Sequence, residues 1–380
     1  MIIREDIILE DTTLRDGEQA PGIAWSKATK LKVLAQLIGS GVKWIEVGIP
    51  KMGGEELEFV REARDYAGDA RLVAWNRGVL DDVKQSLDLG YDAVHIGLPT
   101  SDIHLSTSVN KSRDWVAQRA RDLISYAKDR GAFVSISAED VGRTDPSFLR
   151  DYAGIVGEAG ADRLRLSDTI GILTPEGYAE KVAIAVKATS AAVQTHCHND
   201  FGLAVANTLA GLRAGARFFH VCVNGMGERA GMPDLAQTVM ALKLLYDRDV
   251  GVRTETLTEL SALVAGATNA PVEPWKPVVG YNVFAHESGI HSNGVLRDSR
   301  SFEPISPESV GGQRRIVIGK HSGRAAIVHA LEGVGQEIDE DLMLPLLARV
   351  REESIRIGGE LTVSALVRLY ADMASTAQAA

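Results

Sequence analysis

The feature that most limits how this chain can fold is a recurring joint. SGVKWIEV, LGYDAVHI, RGAFVSIS, AGADRLRL and AGARFFHV each set a glycine shortly before a β-branched or aromatic run. Glycine there ends a helix in the left-handed conformation that other residues adopt at a cost, so each segment reads as the loop from a helix into the next strand. Apolar runs recur at residues 7–12, 43–49, 71–75, 92–98, 132–138, 162–167, 192–198 and 218–223, which makes eight candidate strands. Between them, stretches such as 26–39, 114–130, 175–188 and 202–214 carry Leu, Ala and Val at spacings suited to helices packed on one face. An alternating strand–helix series that stops at eight closes best as a (β/α)8 TIM barrel of roughly 250 residues, an α/β fold, with an open doubly wound sheet as the alternative.

The chain's 380 residues leave room beyond such a barrel. Past residue 270, Pro271, Pro274, Pro277 and Gly280 break the pattern, FAHESGIHSNG and VGGQRRIVIGKHSG follow, and helical periodicity returns from Gly323 through Leu344, Leu347 and Val350. We expect a catalytic barrel over residues 1–265, an extended arm over 266–325 and a small C-terminal helical region over 326–380. A net charge of −10 offers no basic footprint for nucleic acid. Two cysteines, Cys197 and Cys222, build no disulfide framework. No apolar run approaches the roughly 18–20 residues of a membrane span, and MIIREDIILED lacks a signal-peptide pattern, so a cytoplasmic location is expected.

In barrels of this kind the chemistry collects at the C-terminal strand ends and the loops that follow. The first strand runs into DTTLRDGEQAPG, which packs Asp11, Arg15, Asp16, Glu18 and Gln19 into one turn. The seventh ends in THCHND, where strand alternation turns His196 and His198 to the same side, into the barrel mouth, and Cys197 away from it. The eighth leads into VNGMGERAG, a turn holding Asn224, Glu228 and Arg229. Two imidazoles two residues apart, joined by a carboxylate from a neighbouring strand end, suit a divalent metal with open positions for a chelating substrate. The plainer readings are two satisfied core histidines and, for Asp16, a helix cap with Arg15 as its partner. No GxGxxG follows the first strand, and neither a phosphate loop nor a GxSxG elbow occurs.

Together, DTTLRDGEQAPG, HCHNDFGLAVANTLAGLRAGA, VNGMGERAG, HESGIHSNG and IGKHSG resemble the family of Claisen-condensing acyltransferases that contains isopropylmalate, citramalate and homocitrate synthases. The resemblance runs from about residue 5 to residue 325. It implies a barrel whose C-terminal arm reaches a partner subunit in a homodimer. It also implies a divalent metal (Mg, Mn or Zn) and a reaction between acetyl-CoA and a 2-oxo acid. By position it carries the metal ligands to Asp16, His196 and His198, with Asn224 close enough to touch the metal or its water. Arg15 becomes the arginine that steadies the keto oxygen, Glu139 an acid/base group, and His291 the base donated across the dimer. Thr169 becomes a contact of the substrate carboxylate, and Ser137 and Gln19 further substrate contacts. A same-fold carbon–carbon lyase would share Arg15, Asp16 and the paired histidines, whereas the arm bearing HESGIH and GKHSG belongs to the condensing branch.

Within the family, EVGIPKMGGEE, LVAWNR, GLPTSD and RLRLSDTIG are most similar to homocitrate synthases of nitrogen-fixing bacteria. That resemblance implies 2-oxoglutarate as acceptor and homocitrate, the organic acid of the nitrogenase cofactor, as product. A dicarboxylic acceptor needs a cation for its distal carboxylate, and in RLRLS the alternation sets Arg163, Arg165 and Ser167 on one face. If that face is inward, Arg165 is the candidate; the alternative pairs Arg163 or Arg165 with a helix acid outside the barrel. Ser135, Gln194 and Trp75 stand where lysine-pathway homocitrate synthases carry arginine, glutamate and histidine. Met232 replaces the asparagine of GERAGN, and Phe302-Glu303 the usual Tyr-Glu. These departures bear on the acceptor pocket, and acceptors such as 2-oxoisovalerate, pyruvate, oxaloacetate and phosphonopyruvate stay open. His95 and His220 read as core histidines, His104 as a loop residue, and Lys320, His321 and Ser322 as arm residues that touch CoA phosphates or hold the dimer.

Overall fold

The first strand closes the sheet on itself. In the computed structural model, which describes residues 2–379, β1 (Ile8–Asp11) pairs in parallel with β2 (Trp44–Gly48) on one side and β8 (Phe218–Val221) on the other. Between them run β3 (Arg71–Arg77), β4 (Ala93–Gly97), β5 (Phe133–Glu139), β6 (Arg163–Asp168) and β7 (Ala192–Cys197), in chain order around a closed barrel. The fold is therefore the (β/α)8 TIM barrel, and the open sheet is excluded. Gly41, Gly90, Gly131, Gly160 and Gly215, the glycines of the repeated joints, all have positive φ, as a left-handed helix stop requires.

The helices around the barrel are α1 (Lys27–Gly39), α2 (Gly54–Tyr66), α3 (Leu80–Asp88), α4 (Arg113–Asp129), α5 (Pro146–Glu158), α6 (Pro175–Ala188), α7 (Ala204–Arg213), α8 (Leu235–Leu245) and α9 (Leu257–Thr268). Several starts are written locally: Ser26, Asp145 and Thr174 cap the amides of Thr29, Ser147 and Gly177, and Pro146 and Pro175 take the first helical turn, where a missing N–H costs nothing. Their inner faces, such as Val33, Leu34 and Leu37 on α1, are fully buried, each contributing about 1.5–3 kcal/mol.

Inside, the side chains form layers. Trp44, Phe133 and Phe218, each opening its strand, pack with ring centroids 5.0, 5.3 and 6.3 Å apart and close the N-terminal end. Arg163 stacks over all three rings and turns its guanidinium up to Glu10. Above lie Glu10, Glu46, Arg165, Gln194 and His220, all buried. The inward setting of Arg163 and Arg165 removes the alternative of partners outside the barrel.

Residues from Val272 onward form a second compact unit. It holds a parallel two-stranded ribbon, β9 (Ala285–His286) with β10 (Arg315–Ile316), and helices α10 (Gly289–Arg297), α11 (Arg324–Glu332), α12 (Glu340–Ile357) and α13 (Val363–Ala379). Its core gathers Ile327, Leu331, Met343, Leu346, Leu347, Val350 and Leu366. Leu344, expected on the apolar face, is 76% exposed: the buried stripe runs Met343, Leu346, Leu347, Val350, the i, i+3, i+4, i+7 spacing of one helix face.

Candidate active site

The turn after β1 is built to deliver two side chains inward. Asp11 accepts from the Thr13 amide and hydroxyl at 2.9 Å each, and the Thr12 hydroxyl accepts from the Asp16 amide at 3.3 Å, so residues 13–17 wind into a single π-turn with Arg15 and Asp16 buried. The loop beyond is pinned by Lys30, only 1% exposed, which meets both Glu18 and Glu56 at 2.6 Å.

Arg15 and Asp16 enter opposite His196 and His198, the same-face pair that ends β7. His196 Nε2 lies 3.5 Å from Asp16 Oδ2 and 3.4 Å from His198 Nε2. One ligand atom from each of the three residues falls within 4.8 Å of the others, the spacing expected of donors around one ion bound at about 2.0–2.2 Å. Two buried polar atoms here, Asp16 Oδ1 and His198 Nδ1, have no hydrogen-bond partner. Burial, followed by neighbouring positive groups, pushes His196 far below its ordinary value; burial also lowers His198 against the pull of Asp16. Neutral imidazoles and an unpartnered carboxylate oxygen make a donor set that fits a divalent cation.

Arg15 is held from both sides. Its Nε donates to Glu46 Oε2 at 2.5 Å, its Nη1 to Asp16 Oδ2 at 2.8 Å and Gln19 Oε1 at 3.2 Å, and its guanidinium carbon lies 5.5 Å from the centre of the Trp75 ring. Burial works against its charge, but Glu46 and Asp16 outweigh it and raise its pKa. Across the mouth, burial raises the Glu139 carboxyl, with the Ser137 hydroxyl donating to it at 3.3 Å. Thr169 accepts from the Asp140 amide at 2.8 Å, and its carbonyl receives Arg229 Nη2 at 2.7 Å. Beside the β1 turn a cleft of about 590 Å³ is lined by Arg15, Gln19, Ile23, Trp25, Met52 and Glu228 among others.

Some expected residues stand elsewhere. Asn224, left-handed at φ 58°, gives its amide to the carbonyl of Ser261 on α9 at 3.0 Å and takes the Ser261 hydroxyl on its Oδ1. Arg165 lies in the layer of buried charges: its Nε donates to Gln194 at 2.8 Å, its Nη2 to Glu46 at 2.6 Å. His291 belongs to the second unit, exposed on α10 and stacked on Phe302 at 4.2 Å. In that unit Ser322 holds the turn after β10, accepting from the Gly319 amide, and the His321 amide donates to Glu287. Cys197 is buried outside the mouth and burial raises its thiol, which disfavours a nucleophile. His104 is half-buried in its loop, 3.2 Å from Arg143 Nη2.

The sequence reading missed Glu10 and Glu46. His95 and His220 both prove satisfied core histidines: His95 Nδ1 lies 2.8 Å from the Ser135 hydroxyl, and His220 sets its Nδ1 2.8 Å from His196 Nδ1 and its Nε2 3.1 Å from Glu10 Oε1. A carboxylate inside a short apolar strand, as in IILED and WIEVG, was the available signal, because a buried acid requires a buried partner.

Residues 6–264 match the HMGL-like family, and residues 278–355 match the homocitrate synthase post-HMGL domain-like family. The chain is 60% identical to the 2-phosphonomethylmalate synthase of Streptomyces rubellomurinus over 368 residues, covering 97% of this chain and 99% of that protein. It is 44% identical to 2-isopropylmalate synthase 2 of Caldanaerobacter subterraneus subsp. tengcongensis, covering 97% and 96%. Homocitrate synthase 1 of Nostoc sp. is also 44% identical, covering 96% of each chain. Among solved structures, the HMG-CoA lyase of Bacillus subtilis superposes with a TM-score of 0.63 at 19% identity, covering 72% of this chain and 97% of that one, a likeness of fold.

Proposed function

The chain belongs to the HMGL-like family, among the synthases that join acetyl-CoA to 2-oxo acids, and on that footing we propose that its acceptor is phosphonopyruvate and its product 2-phosphonomethylmalate. The observation that carries the choice is the 60% identity, over nearly the whole of both chains, to a 2-phosphonomethylmalate synthase, against 44% to homocitrate and isopropylmalate synthases alike. Removing an acetyl unit from the tertiary carbon of 2-phosphonomethylmalate leaves phosphonopyruvate, so that product defines the acceptor.

Arg165, the one cation expected for a distal carboxylate, has its charge balanced by Glu46 and Glu10. At the mouth the chain is close-packed: a Cβ on Gly97 would lie 2.7 Å from Glu139 Oε1 and 2.8 Å from the Trp75 ring. The homocitrate assignment, and with it a role in nitrogenase cofactor synthesis, has no comparable support.

Asp16, His196 and His198 would hold the divalent cation, which supplies a Lewis acid for the carboxylate and keto oxygen of the acceptor. Arg15, fixed between Glu46 and Asp16, offers positive charge where the keto oxygen becomes an alkoxide. The acetyl methyl gives up a proton to a base, assigned by the family resemblance to His291. The new bond forms between that carbon and the keto carbon, and the alkoxide takes a proton. Glu139, whose carboxyl burial biases toward the neutral form, is assigned to deliver it. Water then cleaves the thioester, releasing CoA. Thr169, Ser137 and Gln19 are assigned to the substrate, and the 590 Å³ cleft beside Arg15 to the acyl-CoA arm. Asn224 is assigned to holding the β8 turn on α9. The second unit we assign to the barrel of a second copy in a homodimer.

The test is CoA thiol release with acetyl-CoA, a divalent metal and each of phosphonopyruvate, oxaloacetate, 2-oxoglutarate, 2-oxoisovalerate and pyruvate. Phosphonopyruvate is expected to give the highest kcat/KM, at least ~10-fold above 2-oxoglutarate, since a misplaced anion loses a charge-assisted contact. A preference for 2-oxoglutarate or 2-oxoisovalerate overturns the acceptor assignment, and no release with any acid overturns the condensing reaction.

A further inference from the structure

A line of three buried side chains runs from the charged layer inside the barrel to the candidate metal corner. Glu10 on β1 faces His220 on β8 (Oε1 to Nε2, 3.1 Å), and His220 faces His196 on β7 (Nδ1 to Nδ1, 2.8 Å). Glu10 and His220 are fully buried and His196 nearly so. We propose that His220 is a positioning residue for the metal corner, fixing the tautomer and tilt of His196 so that its Nε2 lone pair faces Asp16 and His198. The proposal rests on reading that triad as a metal site.

Proton counting gives the direction. Between two Nδ1 atoms at 2.8 Å one must carry the hydrogen and the other accept it. If His196 carries it, its Nε2 is a bare lone pair and can ligate. His220 Nδ1 then accepts, so His220 must carry its own hydrogen on Nε2, where Glu10 Oε1 stands ready to receive it. In the reverse arrangement His220 Nε2 is bare and His196 Nε2 bears the hydrogen, which blocks the corner. The acceptors beside His196 Nε2, Asp16 Oδ2 at 3.5 Å and His198 Nε2 at 3.4 Å, would favour the reverse arrangement at long range, and so would Arg165 Nη2, 3.2 Å from His220 Nε2. The Arg165 hydrogens have better acceptors in Glu46 Oε1 at 2.6 Å and Glu10 Oε1 at 3.4 Å. Glu10 is also clamped by both Nη atoms of Arg163 and by Gln194, which keeps it an anion and an acceptor. A ligating histidine whose other nitrogen donates toward a carboxylate is both oriented and made more basic; here the carboxylate acts through a second imidazole.

Two measurements test this. In the metal-free wild-type protein, two-bond 15N–1H correlation spectra of the nine histidines should show His196 protonated at Nδ1 and His220 at Nε2. The reverse pair of tautomers overturns the proposal. Second, Co2+ is titrated into chelator-stripped wild type, Asp16→Asn, His220→Leu and His220→Asn, followed by its visible d–d absorption, with circular dichroism confirming the fold. His220→Leu should weaken Co2+ binding about 10–100-fold and shift the band. His220→Asn, whose Oδ1 sits near the position of Nδ1 and still accepts from His196, should recover most of that loss. Equal affinity in wild type and His220→Leu overturns the proposal alone. Wild-type Co2+ binding that Asp16→Asn leaves intact, or no binding, overturns the metal reading and the proposal with it. Should His220→Leu fail to fold, an Asn variant as weak as a triad variant, or the tautomer spectrum, still decides.

Discussion

Glu46→Gln should unfold this barrel early and slow it as well. Glu46 is fully buried and carries three donors: Arg15 Nε at 2.5 Å and Thr12 Oγ1 at 2.9 Å on one oxygen, and Arg165 Nη2 at 2.6 Å on the other. The surrounding charges balance, with Arg15, Arg163 and Arg165 set against Glu10, Glu46 and Asp16. Glutamine removes one negative charge and turns an NH2 toward an arginine whichever way the amide is placed. Breaking a buried pair by removing one partner costs about 3–5 kcal/mol, because the remaining charge stays desolvated. For a unit of this size each kcal/mol moves Tm by about 2–4 °C, so a fall of about 6–20 °C is expected in a calorimetric scan. Arg15 would also lose the contact that aims it. Loss of one donor to a developing oxyanion costs about 10²–10³ in kcat, so a fall of at least ~10-fold is expected from its partial displacement. Glu46→Asp keeps the charge and should fall between the two. A Glu46→Gln protein melting within about 2 °C of wild type, with unchanged kcat, would refute the claim that Glu46 compensates both arginines and orients Arg15.

Two further outcomes follow from the same geometry. Burial, then Arg165, lowers His220 from its ordinary 6.5 to about 4, and His95 is lowered in the same direction. Below pH 6.5 the unfolded chain therefore binds protons that folded His95, His196, His198 and His220 resist, so their contribution to stability rises with pH between about 4 and 6.5. Asp11, which burial raises to about 7, has the opposite slope but is one group against four. His220 alone accounts for about 2 kcal/mol of loss at pH 5, from 1.5 pH units at about 1.36 kcal/mol each. Thermal melts of metal-free protein should fall from pH 7.5 to pH 5.0, and a flat profile counts against neutral buried imidazoles. If a second copy supplies His291, Asp16→Asn and His291→Ala, each inactive alone, should regain about a quarter of wild-type CoA release when refolded together, because half the dimers are mixed and each has one intact site. A mixture that stays inactive removes the exchange.

Much of the site was legible because it depends on parity and local turns. His196 and His198 share a face by alternation alone, and the π-turn that buries Arg15 and Asp16 is written in the Asp11, Thr12 and Thr13 side chains. Arg165 pointed inward as alternation required, but its partners come from strands across the barrel. Glu46 lies 119 residues away in sequence and Glu10 155. No local pattern records which strands face each other, so an arginine meant for internal balance looks the same as one meant for a substrate. The bonds that Asn224 makes to Ser261 were hidden for another reason. The left-handed Asn224 backbone swings the amide toward Ser261, a turn conformation that alternation along β8 does not forecast.

The layer of paired charges has a consequence for the chemistry above it. Arg163 and Arg165 are balanced by Glu10 and Glu46, and Arg15 is shared between Glu46 and Asp16, so the floor beneath the mouth is close to neutral. Burial biases the two triad histidines and Glu139 alike toward their neutral forms. An anionic 2-oxo acid therefore meets no large fixed positive field in the barrel itself. On the proposed assignment its attraction comes from Arg15 and from a cation that Asp16, His196 and His198 would hold, the two groups set against the keto oxygen. Uniform attraction would strengthen binding in the ground and transition states alike, whereas charge concentrated at that oxygen favours the transition state. On this argument, the buried acids serve the reaction by cancelling the arginines that do not face it.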